Sequence, residues 1–185
     1  MLHRYLQVGR DALLWKLDGV AEYDARRPLV PTGTNLLGIV KHVASVELGY
    51  FTLVFGRPAD LELPWMSDDA TPNADMWAAE NESREQIIDL YHQSWTLADA
   101  TIDALELDSP GHVLWWGEKG DVTLHDILVH MIAETHRHAG HADVVRESID
   151  GAAGWRADAT NLPGVEASWW PAHVAEIQET AERFR

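Results

Sequence analysis

The segment His130-Met131-Ile132-Ala133-Glu134-Thr135-His136-Arg137-His138-Ala139-Gly140-His141-Ala142-Asp143 sets four ionisable side chains at helical spacing among apolar ones. At 3.6 residues per turn, His130, Glu134, His138 and His141 fall within a wedge of about 80°. Leu124, Ile127, Leu128, Met131 and Ala142 flank or overlap that wedge, so the polar row borders the core-facing stripe of its helix. Burying such groups costs free energy unless they are paired or bound to a cation. A divalent metal resolves the conflict, because residues four apart, such as Glu134 and His138, can grip one ion together. The bland alternative is an exposed face rich in His, Glu and Arg.

A facing helix must supply further ligands, and the segment LLGIVKHVASVE offers His42 beside Ile39, Val43 and Val46. Taken alone, His42 reads equally as a hydrogen-bonded core histidine. His130 is a candidate fourth ligand, with a supporting or capping role the preferred reading. Arg137 and Asp143 read as ligand-orienting or anion-binding groups, or as surface salt-bridge partners. His3, His92, His112 and His173 have no comparable setting and read as surface or packing residues.

Outward from this helix the pattern is helix after helix. The first covers roughly residues 2–17, with Gly19 as its stop. A loop, RRPLVPTGTN, precedes a second helix capped by Thr34 or Asn35 and running to about residue 55. Residues 56–80 carry prolines and aspartates without periodicity and read as an irregular excursion. A third helix fits residues 82–105, and DSPGHVLWWGEKGD reads as a loop. The histidine-rich helix runs from near Thr123 to about Ile149, closed by Asp150 and Gly151. A loop and a short last helix, AHVAEIQETAERF, follow. The expected fold is an all-α four-helix bundle with long connections, a single domain over 1–185 with its core in 1–152 and a C-terminal extension in 153–185.

The 185 residues suit one domain, and the apolar fraction of 46% suffices for a core. The charged N-terminal stretch does not read as a secretory signal, and no run approaches the ~20 apolar residues of a membrane helix. A cytoplasmic protein without membrane association is expected. Thirty acidic against 14 basic residues give a net charge of −16, which disfavours nucleic acid as a partner. Cysteine is absent, so there is no disulfide, thiolate ligand or cysteine nucleophile, and any thiol chemistry must import its sulfur.

The segment HMIAETHRHAGHADVVRESIDG resembles the DinB superfamily, and within it the mini-circle and mycothiol-dependent branch. His130, Glu134, Arg137, His138, Gly140, His141, Asp143, Arg146, Glu147, Asp150 and Gly151 match that branch's pattern. The stretches ALLWKLDGV and LLGIVKHVASVE look like the first and second helices of the same family, and the likeness spans about residues 5–152. It implies a DinB-like bundle with zinc, or sometimes nickel, held by one histidine of the second helix and two residues of the fourth, here His42, Glu134 and His138. Glutamate at 134 is the choice of the mycothiol-dependent maleylpyruvate isomerases. A counterpart of their additional C-terminal domain is not expected here, so the resemblance points to the stand-alone thiol S-transferases of the superfamily, or to members with no assigned reaction.

Three protein ligands leave a metal position open, as in catalytic sites. The leading expectation is a metal-dependent S-transferase in which mycothiol is activated as thiolate and joined to an electrophile. Rival expectations are a hydrolase with Glu47 or His141 as base, and a non-catalytic metal- or small-molecule-binding stress protein. Arg137 is a further catalytic candidate. Trp65, Trp115 and Trp116 read as pocket walls or as packing residues. The expected partners are a small-molecule thiol and an electrophile, with a homodimer compatible with the superfamily.

Overall fold

Helix-start signals in the sequence become helix starts in the computed structural model, which describes residues 1–185. The elements are α1 (Leu2–Trp15), α2 (Glu22–Arg26), α3 (Leu36–Thr52), α4 (Arg84–Ala104), β1 (Pro110–His112), β2 (Asp121–Thr123), α5 (Leu124–Asp150) and α6 (Trp169–Glu182). Asn35 caps α3 by accepting from Gly38 N–H at 2.8 Å. Reciprocal capping boxes open α4 (Ser83 with Gln86) and α5 (Thr123 with Asp126). Gly151, left-handed at φ 79°, closes α5.

α3 lies at the centre, packed on α4 and α5, while α1 packs on α5. Leu13, Leu36, Leu37, Ile39, Val40, Val43 and Ala44 form one part of the core with Ile87 and Tyr91 of α4. Leu6, Phe51, Val54, Leu124, Ile127, Leu128 and Met131 form the other. The result is the all-α, DinB-like bundle expected.

Several details differ from the sequence expectation. α1 stops at Trp15, short of residue 17, and a short α2 follows. Residues 108–121, read as a loop, contain the first strand and the start of the second in an antiparallel hairpin pairing Pro110 with Thr123 and His112 with Asp121. Strands of three residues are too short to show alternation. α6 begins at Trp169, ahead of Pro171, because a proline in the first helical turn gives up an N–H that has no intrahelical acceptor. The segment Leu36–Phe55 is long and apolar enough by composition to cross a membrane, contrary to the expectation that no run comes close. In this fold 78% of its most apolar window is buried, so its hydrophobicity is that of a core helix.

The excursion between α3 and α4 is tied down rather than free. Lys41, 2% exposed, donates to Ala74 O and Trp77 O at 3.0 Å each and pairs with Glu82 at 2.8 Å. Arg26 donates to the carbonyls of Ala78, Ala79 and Glu82. Buried Lys41 and half-buried Arg26 thus satisfy backbone carbonyls and hold the excursion on α3 and α2.

Candidate metal centre

α3 and α5 run antiparallel, which brings His42 level with the Glu134–His138 turn and Tyr50 level with His130. The ring centroids are 4.7 Å apart in both the His42–His138 and Tyr50–His130 pairs. Glu134 Oε1 lies 2.9 Å from His138 Nε2 and 3.7 Å from His42 Nε2. One ligand atom from each of the three residues falls within 4.8 Å of the others. Ligand atoms around a tetrahedral zinc stand roughly 3.3 Å apart, so this donor set fits a divalent ion with little adjustment. The side chains of His42, Glu134 and His138 are 18%, 24% and 7% exposed, so the cluster sits at the edge of the core with one side open.

Electrostatics supports the ligating protonation states. Burial pushes His138 below the usual histidine value, as does neighbouring His42, against the pull of Glu134. Burial alone would raise Glu134, but His138, His42 and Arg137 together outweigh it and hold the carboxyl low. A neutral imidazole beside an ionised carboxylate is what a metal requires.

Asp75 completes the arrangement. Its Oδ2 lies 2.6 Å from His42 Nδ1, on the ring edge opposite Glu134. A carboxylate there holds the Nδ1–H tautomer and directs Nε2 to the cluster. Sequence reasoning missed Asp75, which lies 33 residues from His42 in a segment without periodicity. Its placement depends on Gly38, where a Cβ would stand 1.8 Å from Met76 O.

The remaining expectations separate cleanly. His141 is exposed, its ring 5.3 Å from that of His138. Arg137, also exposed, brings Nη1 to 3.8 Å from Glu134 Oε2. His130 does not join the cluster; it packs against Tyr50 and against Trp116, whose ring centroid is 5.0 Å away. Burial lowers its pKa, more strongly than Glu134 raises it. Glu47 corrects an expectation. Turned about 140° from His42 around α3, it is fully buried and accepts from Arg10 Nη2 at 2.6 Å and Nε at 2.9 Å, so it faces α1 and not the cluster. Asp143 pairs with Lys16 at 3.2 Å and accepts from Gly154 N–H at 2.6 Å. Arg146 donates to Lys16 O and pairs with Asp150. That end of the motif ties the chain after α5 to the end of α1. Trp65 is a packing residue, donating to Ser45 Oγ at 2.9 Å with Lys41 over its ring.

Residues 1–151 match the family described as mycothiol-S-transferase. The chain belongs to the mycothiol-S-transferase family. This family lies within the DinB-like superfamily, in agreement with the resemblance carried by the α5 motif. A solved structure described as the conserved protein of locus from Enterococcus faecalis superposes with a TM-score of 0.58 at 17% identity. It covers 81% of this chain and 95% of its own, a likeness that shows the fold. No curated protein matches the chain.

Proposed function

We propose that this member of the mycothiol-S-transferase family is a metal-dependent S-transferase that joins a low-molecular-weight thiol, mycothiol, to an electrophile. The observation that carries the reading is the convergence of His42, Glu134 and His138 on one point at the open edge of a chain without cysteine. Those three residues are the proposed ligands, and the nitrogen- and oxygen-donor set suits zinc, with nickel the alternative. A divalent ion held there supplies Lewis acidity, through which a thiol loses its proton at neutral pH.

The side chains divide the remaining work. Asp75 fixes the tautomer of His42 and leaves Nε2 directed inward. Glu134 supplies the one negative charge of the proposed ligand set, beside two neutral imidazoles, and its Oε2 lies 3.8 Å from Arg137 Nη1 at the rim. His141, exposed beside His138, is the proposed acceptor of the thiol proton, a role supported by its ring standing 5.3 Å from that of His138. The sulfur then forms the new bond to carbon, and the electrophile's leaving group departs with its bonding pair. Glu47, held by Arg10 inside the bundle, takes no part, which removes one of the two bases on which a water-activating mechanism would draw.

The test begins with elemental analysis of untagged protein, wild type beside His42→Ala and Glu134→Ala. About one zinc or nickel per chain in wild type, lost from both folded variants, is the expected result. Wild-type protein that is folded, free of metal and unable to take up zinc overturns the proposal. Turnover is then followed with an uncharged alkyl halide, with and without mycothiol. Thiol-independent hydrolysis would establish the hydrolase instead, and bound metal without any turnover would establish a binding protein.

A further inference from the structure

The face of α3 that presents His42 continues as the wall of an apolar cavity. Val46 and Gly49 lie within about 40° of His42 around the helix axis, at roughly 6 and 10 Å further along it, and Leu53 follows just past the end of α3. They line a half-open cavity of about 390 Å³, bordered on its other sides by Leu61 and Met66 of the excursion and by Trp115. Trp115 Nε1 donates to Tyr50 Oη at 3.3 Å, and the Tyr50 ring packs tilted at 58° against His130, so the cavity and the α5 site row share one aromatic wall.

The lining is without charge: no Asp, Glu, Lys, Arg or His contributes to it. Of its hydroxyls, Ser45 donates to Lys41 O and Thr52 to Leu48 O, both at 2.7 Å, and Tyr50 Oη accepts from Trp115 Nε1. A carboxylate or ammonium placed there would lose its hydration and find no counter-charge. A hydrocarbon chain or aromatic ring would exchange water for apolar contact. The volume lies within the range of small-molecule sites, roughly 300–1,000 Å³.

We propose that this cavity holds the hydrocarbon or aryl part of an uncharged electrophile, with its reactive carbon at the His42 end. The inference rests on the S-transferase reading and names its substrate class. The thiol gives up its proton, sulfur bonds to the carbon at the mouth, and the leaving group departs with the electron pair while the apolar remainder stays in the cavity. Dicarboxylate electrophiles are excluded from it.

Gly49 provides the test, because a Cβ there meets nothing nearer than the Trp115 ring at 3.8 Å and a larger side chain grows into the cavity. Binding of the uncharged fluorophore N-phenyl-1-naphthylamine is measured for wild type, Gly49→Ala and Gly49→Leu, with melting temperature and metal content as controls. In parallel, kcat/KM with mycothiol is measured for a series of 1-bromoalkanes of increasing length. The expected result is fluorophore binding by wild type and Gly49→Ala, weakened at least about tenfold in folded, metal-loaded Gly49→Leu. Wild-type kcat/KM rises by roughly fourfold per methylene until the cavity is full, and Gly49→Leu flattens that rise. Unchanged fluorophore binding in folded Gly49→Leu overturns the cavity as an apolar site. Thiol-dependent turnover indifferent to chain length overturns the cavity's role and leaves the transferase standing. Gly49-sensitive fluorophore binding without thiol-dependent turnover overturns the transferase reading, and the electrophile with it, while the apolar site stands.

Discussion

Asp75 touches His42 at Nδ1 and nothing else in the His42–Glu134–His138 cluster, and under the proposed function it sets which imidazole nitrogen is free to ligate. Carboxylates in this position orient the ring and raise its basicity, and their loss costs about 10–100-fold in metal affinity. Asp75→Asn is therefore expected to weaken zinc binding by about that factor, read by competition with a chromophoric chelator, with the melting temperature of the metal-free protein nearly unchanged. Equal affinities in wild type and variant would mean that His42 is oriented by packing alone. His141 is tested at the same scale. If it accepts the thiol proton, His141→Gln lowers kcat/KM by about 10²–10⁴-fold while leaving metal content intact. Loss of metal in that variant would make His141 a ligand instead.

At the scale of elements, the α5 motif was legible because the candidate ligands, the caps and the core positions share one helical period. Thr123 and Gly151 marked the ends of α5, and the wedge containing Glu134 and His138 marked its candidate site. His42 was legible as the polar member of an apolar helix. What the sequence hid comes from segments without a period. The excursion reads as loop, but buried Lys41 and the absent side chain of Gly38 dock it and bring Asp75 into place. The hairpin carrying Trp115 is hidden by the brevity of its strands. Glu47 looked available because spacing along α3 does not reveal that Arg10, on another helix, faces it. Two glycines make opposite predictions from this geometry. Gly38→Ala drives a methyl group into Met76 O and is expected to cost about 1–3 kcal/mol, with weaker metal binding because Asp75 moves with that turn. Gly140, exposed on α5 with open space around its Cα, should gain about 0.5–1 kcal/mol on change to alanine. Chemical denaturation of both variants checks the pair, and equal stabilities would contradict the docking of the excursion on α3.

Across the whole molecule, the interior carries one charge pair whose balance shifts with pH. Arg10 and the Glu47 carboxylate are fully buried between α1 and α3, with Asp99 of α4 accepting from Arg10 at 2.8 Å and Glu47 Oε2 left without a partner. Burial pushes the Glu47 carboxyl up to about 7, against the pull of Arg10 and with the help of Asp99. A folded-state pKa above the unfolded one means that the native chain binds the extra proton. The stability this contributes is complete below the unfolded value, near 4.3, and is lost as pH rises through about 7. His130 and His138, both lowered, act in the opposite sense, adding stability as pH rises towards the unfolded histidine value near 6.5. The wild-type profile is therefore a composite, and a difference against Glu47→Gln isolates the buried carboxyl. In that variant Arg10 keeps its bonds to Asp99 and Gln7, and both histidines are untouched. The melting temperature of wild type minus that of Glu47→Gln is expected to fall steadily between pH 5 and pH 8. A constant difference over that range would mean that Arg10 holds Glu47 ionised throughout, so that burial does not set the protonation of the pair.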